Sequence, residues 1–121
     1  MVEDCITDGK RIAELLSSEL SGRESGSLAQ IAVIGADPDA TPSEDGTPAY
    51  SIATDEGQIG VVSLFPDYVR LTLTVGARTV VESSASNGIP ARREDDDAVL
   101  RIESGAAVKR AIDLIAAAVE A

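Results

Sequence analysis

The sequence predicts an α+β fold, a two-layer sandwich in which an antiparallel sheet of five or six strands carries the N-terminal and C-terminal helices on one face. Apolar residues recur at helical spacing near both ends of the chain, and residues 50–84 alternate between apolar and polar with a period of two. The 121 residues match the size of one ordinary domain. We therefore expect one domain over residues 1–121.

The first helix is predicted in residues 8–20, DGKRIAELLSSEL. Thr7 or Asp8 can cap its start, because either side chain can accept a hydrogen bond from an amide of the first turn. Gly22 ends the helix, and residues 28–36, LAQIAVIGA, form an apolar, β-branched run that is typical of a strand. The apolar stripe of the helix consists of Ile12, Leu15, Leu16 and Leu20.

A meander of four strands is predicted between residues 50 and 84. Its strands are the segments YSIAT, QIGVVSLF, YVRLTLTV and RTVVESS. The turn at residues 65–68, FPDY, is the most informative, because proline at its second position has the φ that a two-residue loop needs. That loop sets the register of the central hairpin. On one face, the predicted core face, it pairs Leu64 with Val69, Val62 with Leu71 and Gly60 with Leu73.

The other two hairpin turns are less well defined by the sequence. If residues 55–57, DEG, form a three-residue loop, Tyr50 and Ile52 fall on the core face near Gly60. The tyrosine ring could then cover the bare glycine backbone. A loop at residues 75–78, VGAR, is compatible with two registers that differ by one residue, and the sequence does not choose between them.

The last third of the chain predicts a loop, a short strand and a closing helix. Residues 84–90, SASNGIP, and the following ARREDDD are typical of loop and solvated charge run, respectively. Residues 98–102, AVLRI, indicate a strand, after which Ser104 can cap a helix. The apolar stripe of that helix consists of Val108, Ile112, Ile115 and Val119.

Charge is the strongest compositional signal. The chain has 21 acidic and 10 basic residues, a formal net charge of -11, and its only lysines are Lys10 and Lys109. A large acid excess with few lysines resembles the proteins of extremely halophilic archaea, where molar salt screens the repulsion. The opening MVEDCITDGKRIAELL is also similar to a small uncharacterised haloarchaeal family. The resemblance implies a salty cytoplasm and no particular activity.

Several function classes are disfavoured by what the sequence lacks. No secretory signal is visible and no apolar run approaches the roughly 20 residues of a membrane span, so we expect a cytoplasmic protein without membrane contact. A single cysteine, Cys5, and no histidine leave no internal disulfide and argue against zinc and His-based chemistry. We expect Cys5 to be a small buried residue. No catalytic residue, cofactor or metal site is predicted, and an enzyme is the less favoured class.

Two acidic segments and the dispersed arginines are the remaining candidates for binding sites. Residues 37–46, DPDATPSEDG, fail the EF-hand pattern because Pro42 stands where the turn needs glycine, which leaves a solvated loop and, as an open alternative, a weak cation contact. Residues 94–97, EDDD, are expected to be solvated. Nucleic-acid binding is not expected, because no basic stripe is present. Arg70, Arg78 and Arg101 could meet on one sheet surface, where a strand arginine usually serves as an ion-pair partner.

One predicted surface is too apolar for a freely wetted sheet. It is the second face of the central hairpin, where polar residues accompany a run of large apolar ones. We expect a homodimer to cover it, with an unidentified protein or a small ligand as alternatives and an ordinary mixed outer face as the equal competitor. The candidate contact surface consists of Ile59, Val61, Phe65, Tyr68, Arg70, Thr72 and Thr74.

The predicted function is accordingly a small soluble protein-protein interaction or ligand-binding module. The alternative is a small enzyme that uses carboxylates together with Tyr50, Tyr68 and Arg70, without histidine or metal. That alternative predicts a concave pocket that holds a strongly desolvated acid.

Overall fold

A computed structural model describes residues 8–21, 31–37 and 39–120. Within them, six antiparallel strands form one sheet in the order β1-β2-β3-β4-β6-β5. The predicted α+β class is confirmed, with helices at both ends of the chain. In chain order the elements are α1 (Gly9–Ser21), β1 (Ala32–Ile34), β2 (Thr47–Thr54), β3 (Gly57–Leu64), β4 (Val69–Leu73), α2 (Ala77–Asn87), β5 (Ala91–Glu94), β6 (Asp97–Ile102) and α3 (Gly105–Glu120).

The helices cover the sheet face that the hairpin register predicts as the core. Helix α3 contacts both α1 and α2, and the buried side chains of the helices and the sheet form one hydrophobic cluster. Each fully buried Leu or Ile stabilises the fold by roughly 1.5–3 kcal/mol relative to an exposed one. None of the helices in the described part of the chain is long and apolar enough to cross a membrane. The largest fully buried side chains include Ile12, Leu16, Leu64, Leu71, Leu73, Leu100, Ile112 and Ile115.

Both helix starts that the sequence predicts are confirmed. The Asp8 carboxylate accepts hydrogen bonds from the amides of Lys10 (2.8 Å) and Arg11 (3.4 Å). Ser104 Oγ accepts one from the Ala107 amide (3.2 Å). The Gly9 amide donates to the carbonyl of Pro66 (3.2 Å), so α1 begins directly against the turn between β3 and β4.

The predicted register of the central hairpin is confirmed in full. Gly60 pairs with Leu73, Val62 with Leu71 and Leu64 with Val69. Ile52 also lies opposite Gly60, as the sequence predicts for a three-residue DEG loop, although the turn itself comprises two residues, Asp55 and Glu56.

The side chains nearest Gly60 are those of Ile52 and Leu73, not the Tyr50 ring that the sequence suggested. Ile52 Cγ1 lies 3.1 Å from the place where a Cβ of Gly60 would stand. The Tyr50 hydroxyl instead donates a hydrogen bond to the carbonyl of Ala13 in α1 (2.7 Å). Tyrosine is therefore used to tie the first helix to the sheet.

The strand predicted at residues 78–84 is also wrong, because this segment is helix α2. Gly76 has a left-handed backbone (φ 60°) and ends the extended chain after β4 instead of completing a hairpin. The residues then bury Ala77, Val80 and Ser84, which share one helical face, against α3 and the sheet. A short β-branched run cannot by itself distinguish a strand from a helix, and here tertiary packing decides. The two registers considered for residues 75–78 therefore do not arise.

The segment ARREDDD, expected to be loop and solvated charge run, forms an edge hairpin. Strand β5 pairs with β6 through a turn at Asp95, whose φ is 55°, and Asp96. Strand β5 exposes most of its side chains and one row of backbone groups. Such an edge strand needs no alternation of apolar and polar residues, so the usual sequence signal of a strand is missing. Charged side chains on such an edge also oppose pairing with another sheet.

Candidate contact surface

The sheet face opposite the helices carries one continuous row of side chains across all six strands. The pairings Ile34–Ser51, Ser51–Val61, Val61–Thr72, Thr72–Val99 and Val99–Arg92 join neighbouring strands in order. We call this face the outer face and this set the outer row. The outer row consists of Ile34, Ser51, Val61, Thr72, Val99 and Arg92.

The outer row differs in exposure from strand to strand. Val99 is only 7% exposed although no helix covers it, whereas Ile34 is 42% exposed. Val61 and Thr72 are half-buried. The face is thus closed at β6 and open at both edges, where the exposed members are the apolar Ile34 on β1 and the charged Arg92 on β5.

An aromatic stack lies at the end of the outer face, at the turn between β3 and β4. The rings of Phe65 and Tyr68 lie parallel (interplanar angle 8°), with centroids 4.4 Å apart. The guanidinium carbon of Arg101 lies 3.9 Å from the Tyr68 centroid, and that of Arg70 lies 5.0 Å from the Phe65 centroid. Stacked rings contribute about 0.5–1.5 kcal/mol beyond area burial, and an exposed cation–π contact about 0.5–1 kcal/mol.

Local sequence explains why the rings can stack. The Phe65 amide donates to the Tyr68 carbonyl (3.0 Å), so the Pro66–Asp67 turn holds the two residues opposite each other. Gly46 makes room for the Phe65 ring, because a Cβ on Gly46 would lie 2.7 Å from Phe65 Cζ. Its φ of 87° lies in the region that favours glycine.

Three arginines converge beyond the stack. Arg70 lies directly opposite Arg101 in the β4–β6 pair, and both line a pocket of about 340 Å³ together with Arg92. Arg101 Nε contacts Glu103 (2.6 Å), and Arg92 contacts Glu94 (Nε to Oε2, 2.6 Å). Arg78, the third arginine considered from the sequence, lies on α2 with Glu82 (3.9 Å) and does not join them.

The structure divides the predicted contact residues into four groups. Val61, Arg70 and Thr72 lie on the outer face by register, and Phe65 and Tyr68 form the stack at its end. Ile59 instead belongs to the hydrophobic core cluster. Thr74 is exposed, and both its amide (2.8 Å) and its hydroxyl (3.1 Å) donate to the Ile59 carbonyl.

A β-bulge explains the misplacement of Ile59. The pairing passes from Ile52–Gly60 to Ala53–Gln58, so β3 has one residue more than β2 at this point. An extra residue breaks the alternation of faces that the sequence argument assumes. The prediction that Ile59 lies on the outer face is therefore wrong, while the predicted alternation of faces holds from Gly60 to Leu64.

The residues of the outer row that the sequence argument missed are Ile34, Ser51, Val99 and Arg92. The alternation in AVLRI would place Val99 and Arg101 together on one face, which is a usable signal. Ile34 carries no such signal, because its face is set by pairing with Ser51, a partner distant in the chain.

The residues named for an enzyme do not come together. Tyr50 is buried on the helix side, whereas Tyr68 and Arg70 lie on the outer face. Burial raises the pKa of Tyr50, and a backbone hydrogen bond at Ser17 lowers it by less. A second cavity, of about 470 Å³, lies beside Tyr50 and is lined in part by Lys10, Glu14 and Asp37.

The acidic segments have structural explanations. Asp37 Oδ1 accepts a hydrogen bond from the Asp39 amide (3.0 Å), which closes a local turn in the 37–46 loop. Residues 94–97 form the tip of the β5–β6 hairpin. Among the described residues, no group of three or more acidic or cysteine side chains is placed to hold a metal ion. Cys5 lies outside the described residues.

The comparisons with known proteins identify a family and no more. A protein-family model described as a family of unknown function (DUF7993) matches residues 1–121. No curated protein and no solved structure matches the chain.

Proposed function

The chain belongs to the DUF7993 family, whose function is unknown, and we propose that it is a protein-protein interaction module that works through its outer face as a homodimer. The observation that carries this proposal is the open apolar end of the outer row. Ile34 is 42% exposed and is separated from half-buried Val61 by Ser51, on a face that no helix covers. A partner that covers these side chains removes apolar surface from water.

The edges of the sheet are poor alternatives to its face. Strand β1 is three residues long, and β5 carries Arg92, Arg93 and Glu94. Short or charged edge strands resist pairing with another chain. Contact through the face is therefore favoured over extension of the sheet.

A second copy of this chain suits the β1–β3 half of the face. In a two-fold contact the same patch meets itself, so apolar Ile34 and Val61 can meet their own counterparts. The other half of the face, on β4, β5 and β6, carries Arg70, Arg92 and Arg101, and we call it the arginine half. It cannot form a two-fold contact with itself, because Arg70 and Arg101 would meet like charges. The dimer contact is thus centred on Ile34 and Val61.

The proposed setting is a salty cytoplasm. The formal net charge of -11 makes two copies repel each other in dilute buffer. At about 1 M salt the Debye length falls to about 3 Å, and the apolar contact can then dominate. The dimer should therefore strengthen as salt is added.

Sedimentation velocity in roughly 2 M KCl, where charges are screened over a few ångströms, tests the dimer. The unmodified chain should sediment as a dimer and Ile34→Asn as a monomer. Val75→Asn is the matched control, because Val75 is the other large apolar side chain exposed in the described residues, at 36%. A monomeric unmodified chain, or equal loss in both variants, contradicts the proposal.

Thermal unfolding across a KCl series tests the proposed salt adaptation separately. The midpoint should rise with KCl as like-charge repulsion is screened. If the midpoint is the same in dilute buffer as in concentrated KCl, the proposed salt adaptation is contradicted and the excess of carboxylates needs another explanation.

A further inference from the structure

We propose that the pocket among β4, β5 and β6 binds a small organic oxyanion, a carboxylate or phosphate group on a short apolar body. The inference rests on the proposed function in one respect, that the outer face is the working surface. It names the ligand of the arginine half and does not need the dimer. We call this site the arginine pocket; its lining includes Tyr68, Arg70, Arg92, Val99 and Arg101.

The first argument is the concentration of positive charge. Three of the ten basic residues of a strongly acidic chain line this one pocket. Arg70 and Arg101 are direct cross-strand neighbours, and like charges in that position destabilise a sheet. An anion bound in the pocket that both residues line reduces that repulsion.

The second argument is the hydrogen-bonding capacity of the arginines. A guanidinium has five N–H donors, and the bonds to Glu94 and Glu103 use only some of those on Arg92 and Arg101. The Arg70 guanidinium makes no hydrogen bond or ion pair with any residue in the described ranges, and it lies over the Phe65 ring. The pocket therefore offers donors of the kind that bind carboxylate and phosphate in pairs.

The third argument is preorganisation. Arg101 lies 3.9 Å from the Tyr68 ring centroid, and Tyr68 is itself stacked on Phe65. A guanidinium that is held against a ring loses less side-chain entropy when an anion binds. The stack thus prepares Arg101 for binding.

Size and lining restrict the ligand. A volume of about 340 Å³ lies at the low end of small-molecule sites, which span roughly 300–1,000 Å³. Pro90, Ala91 and Val99 supply an apolar wall. The acids Glu94 and Glu103 beside the arginines, and the net charge of the chain, disfavour a polyanion such as a nucleic acid.

Titration of the full chain with benzoate, phenyl phosphate and neutral benzyl alcohol, followed by ¹H–¹⁵N NMR, tests the pocket. Low chloride limits competition for the arginines. At least one anion should produce saturable shifts at the amides of Tyr68, Arg70 and Arg101, and benzyl alcohol should not. Whichever of the two anions binds with the higher affinity identifies the ligand group, carboxylate for benzoate and phosphate for phenyl phosphate.

Matched variants assign the binding to the arginines. Arg70→Gln should weaken binding of the anion at least tenfold, because the variant loses a charged hydrogen-bond donor. Arg78→Gln, on exposed α2, should leave the affinity unchanged. If Arg70→Gln does not fold, Arg101→Gln provides the same test.

Failure of the pocket and failure of the dimer are distinguishable. Ile34→Asn should lose the dimer and retain the anion, while Arg70→Gln should retain the dimer. No saturable shift with either anion at millimolar concentration overturns the arginine pocket, as does equal weakening by Arg70→Gln and Arg78→Gln. Neither of these results bears on sedimentation of the unmodified chain.

Discussion

Strand β4 presents two different surfaces through alternate residues of the same five-residue segment. Leu71 and Leu73 face the helices and are fully buried, whereas Arg70 and Thr72 are half-buried on the outer face. The inner face is held by buried area summed over many side chains. The outer face is held by a few specific contacts, such as those of the aromatic stack, and therefore has residues available for binding.

The largest contrast should come from neighbouring substitutions on that strand. Leu71→Ala removes fully buried methyl groups and should cost about 2–5 kcal/mol of unfolding free energy. Thr72→Ala should cost less than about 1 kcal/mol, within the range of strand propensities. Urea unfolding measures both. Similar costs would mean that the outer face is covered in solution or that the inner face is loosely packed.

A glycine pair sharpens the comparison on the outer side. Gly46→Ala forces a Cβ to 2.7 Å from Phe65 Cζ and should cost about 1–3 kcal/mol, with loss of the near-ultraviolet signal of the stack. Gly35→Ala is the control, because Gly35 also has positive φ (63°) but no atom within 4 Å of the added Cβ. If Gly35→Ala lowers the unfolding free energy as much as Gly46→Ala, backbone strain alone explains the effect and the contact with the Phe65 ring does not.

On the inner side, Tyr50→Phe should cost about 1 kcal/mol at neutral pH, because the hydrogen bond to Ala13 is lost. The pKa of Tyr50 is raised in the folded state, so its contribution is present below the unfolded pKa of about 10 and is lost as pH rises above it. Unfolding free energy followed from pH 7 to about pH 11 should therefore fall more steeply for the unmodified chain than for Tyr50→Phe. Parallel slopes would contradict the burial of this phenol.

A small effect is expected for Tyr68→Leu, which removes the ring between Phe65 and Arg101. We expect a loss of about 1 kcal/mol by urea unfolding, the sum of the lower values for one stacking and one exposed cation–π contact, about 0.5 kcal/mol each. Tyr68→Phe keeps the ring and should unfold like the unmodified chain. If the two variants lose equal stability, the hydroxyl and not the ring supports this part of the outer face.

The parts of the fold that sequence could predict are those fixed by local rules. Pro66 defines a two-residue turn, and from it the pairing of Leu64 with Val69 and the whole inner face of the hairpin follow. Asp8 and Ser104 mark helix starts for an equally local reason, a side-chain oxygen beside unpaired amides. Both helix stripes are also recovered, since burial follows helical spacing.

The parts that sequence could not predict depend on distant partners. Residues 78–84 become a helix because α3 and the sheet bury one helical face, and β5 has too many charges to show strand alternation. The candidate surface shows the same limit. Val61 and Thr72 are placed correctly by parity, while Ile59 is displaced by a bulge and Ile34 joins the row only through β2.

The contact between Gly9 and the Pro66 turn restricts which sequences can keep this architecture. A methyl group at position 9 would stand 1.9 Å from the carbonyl oxygen of Phe65, so any larger residue must push the first helix and the ring-bearing turn apart. Random replacement at this codon should thus return only the original amino acid among variants that retain both the helix start and the ring pair.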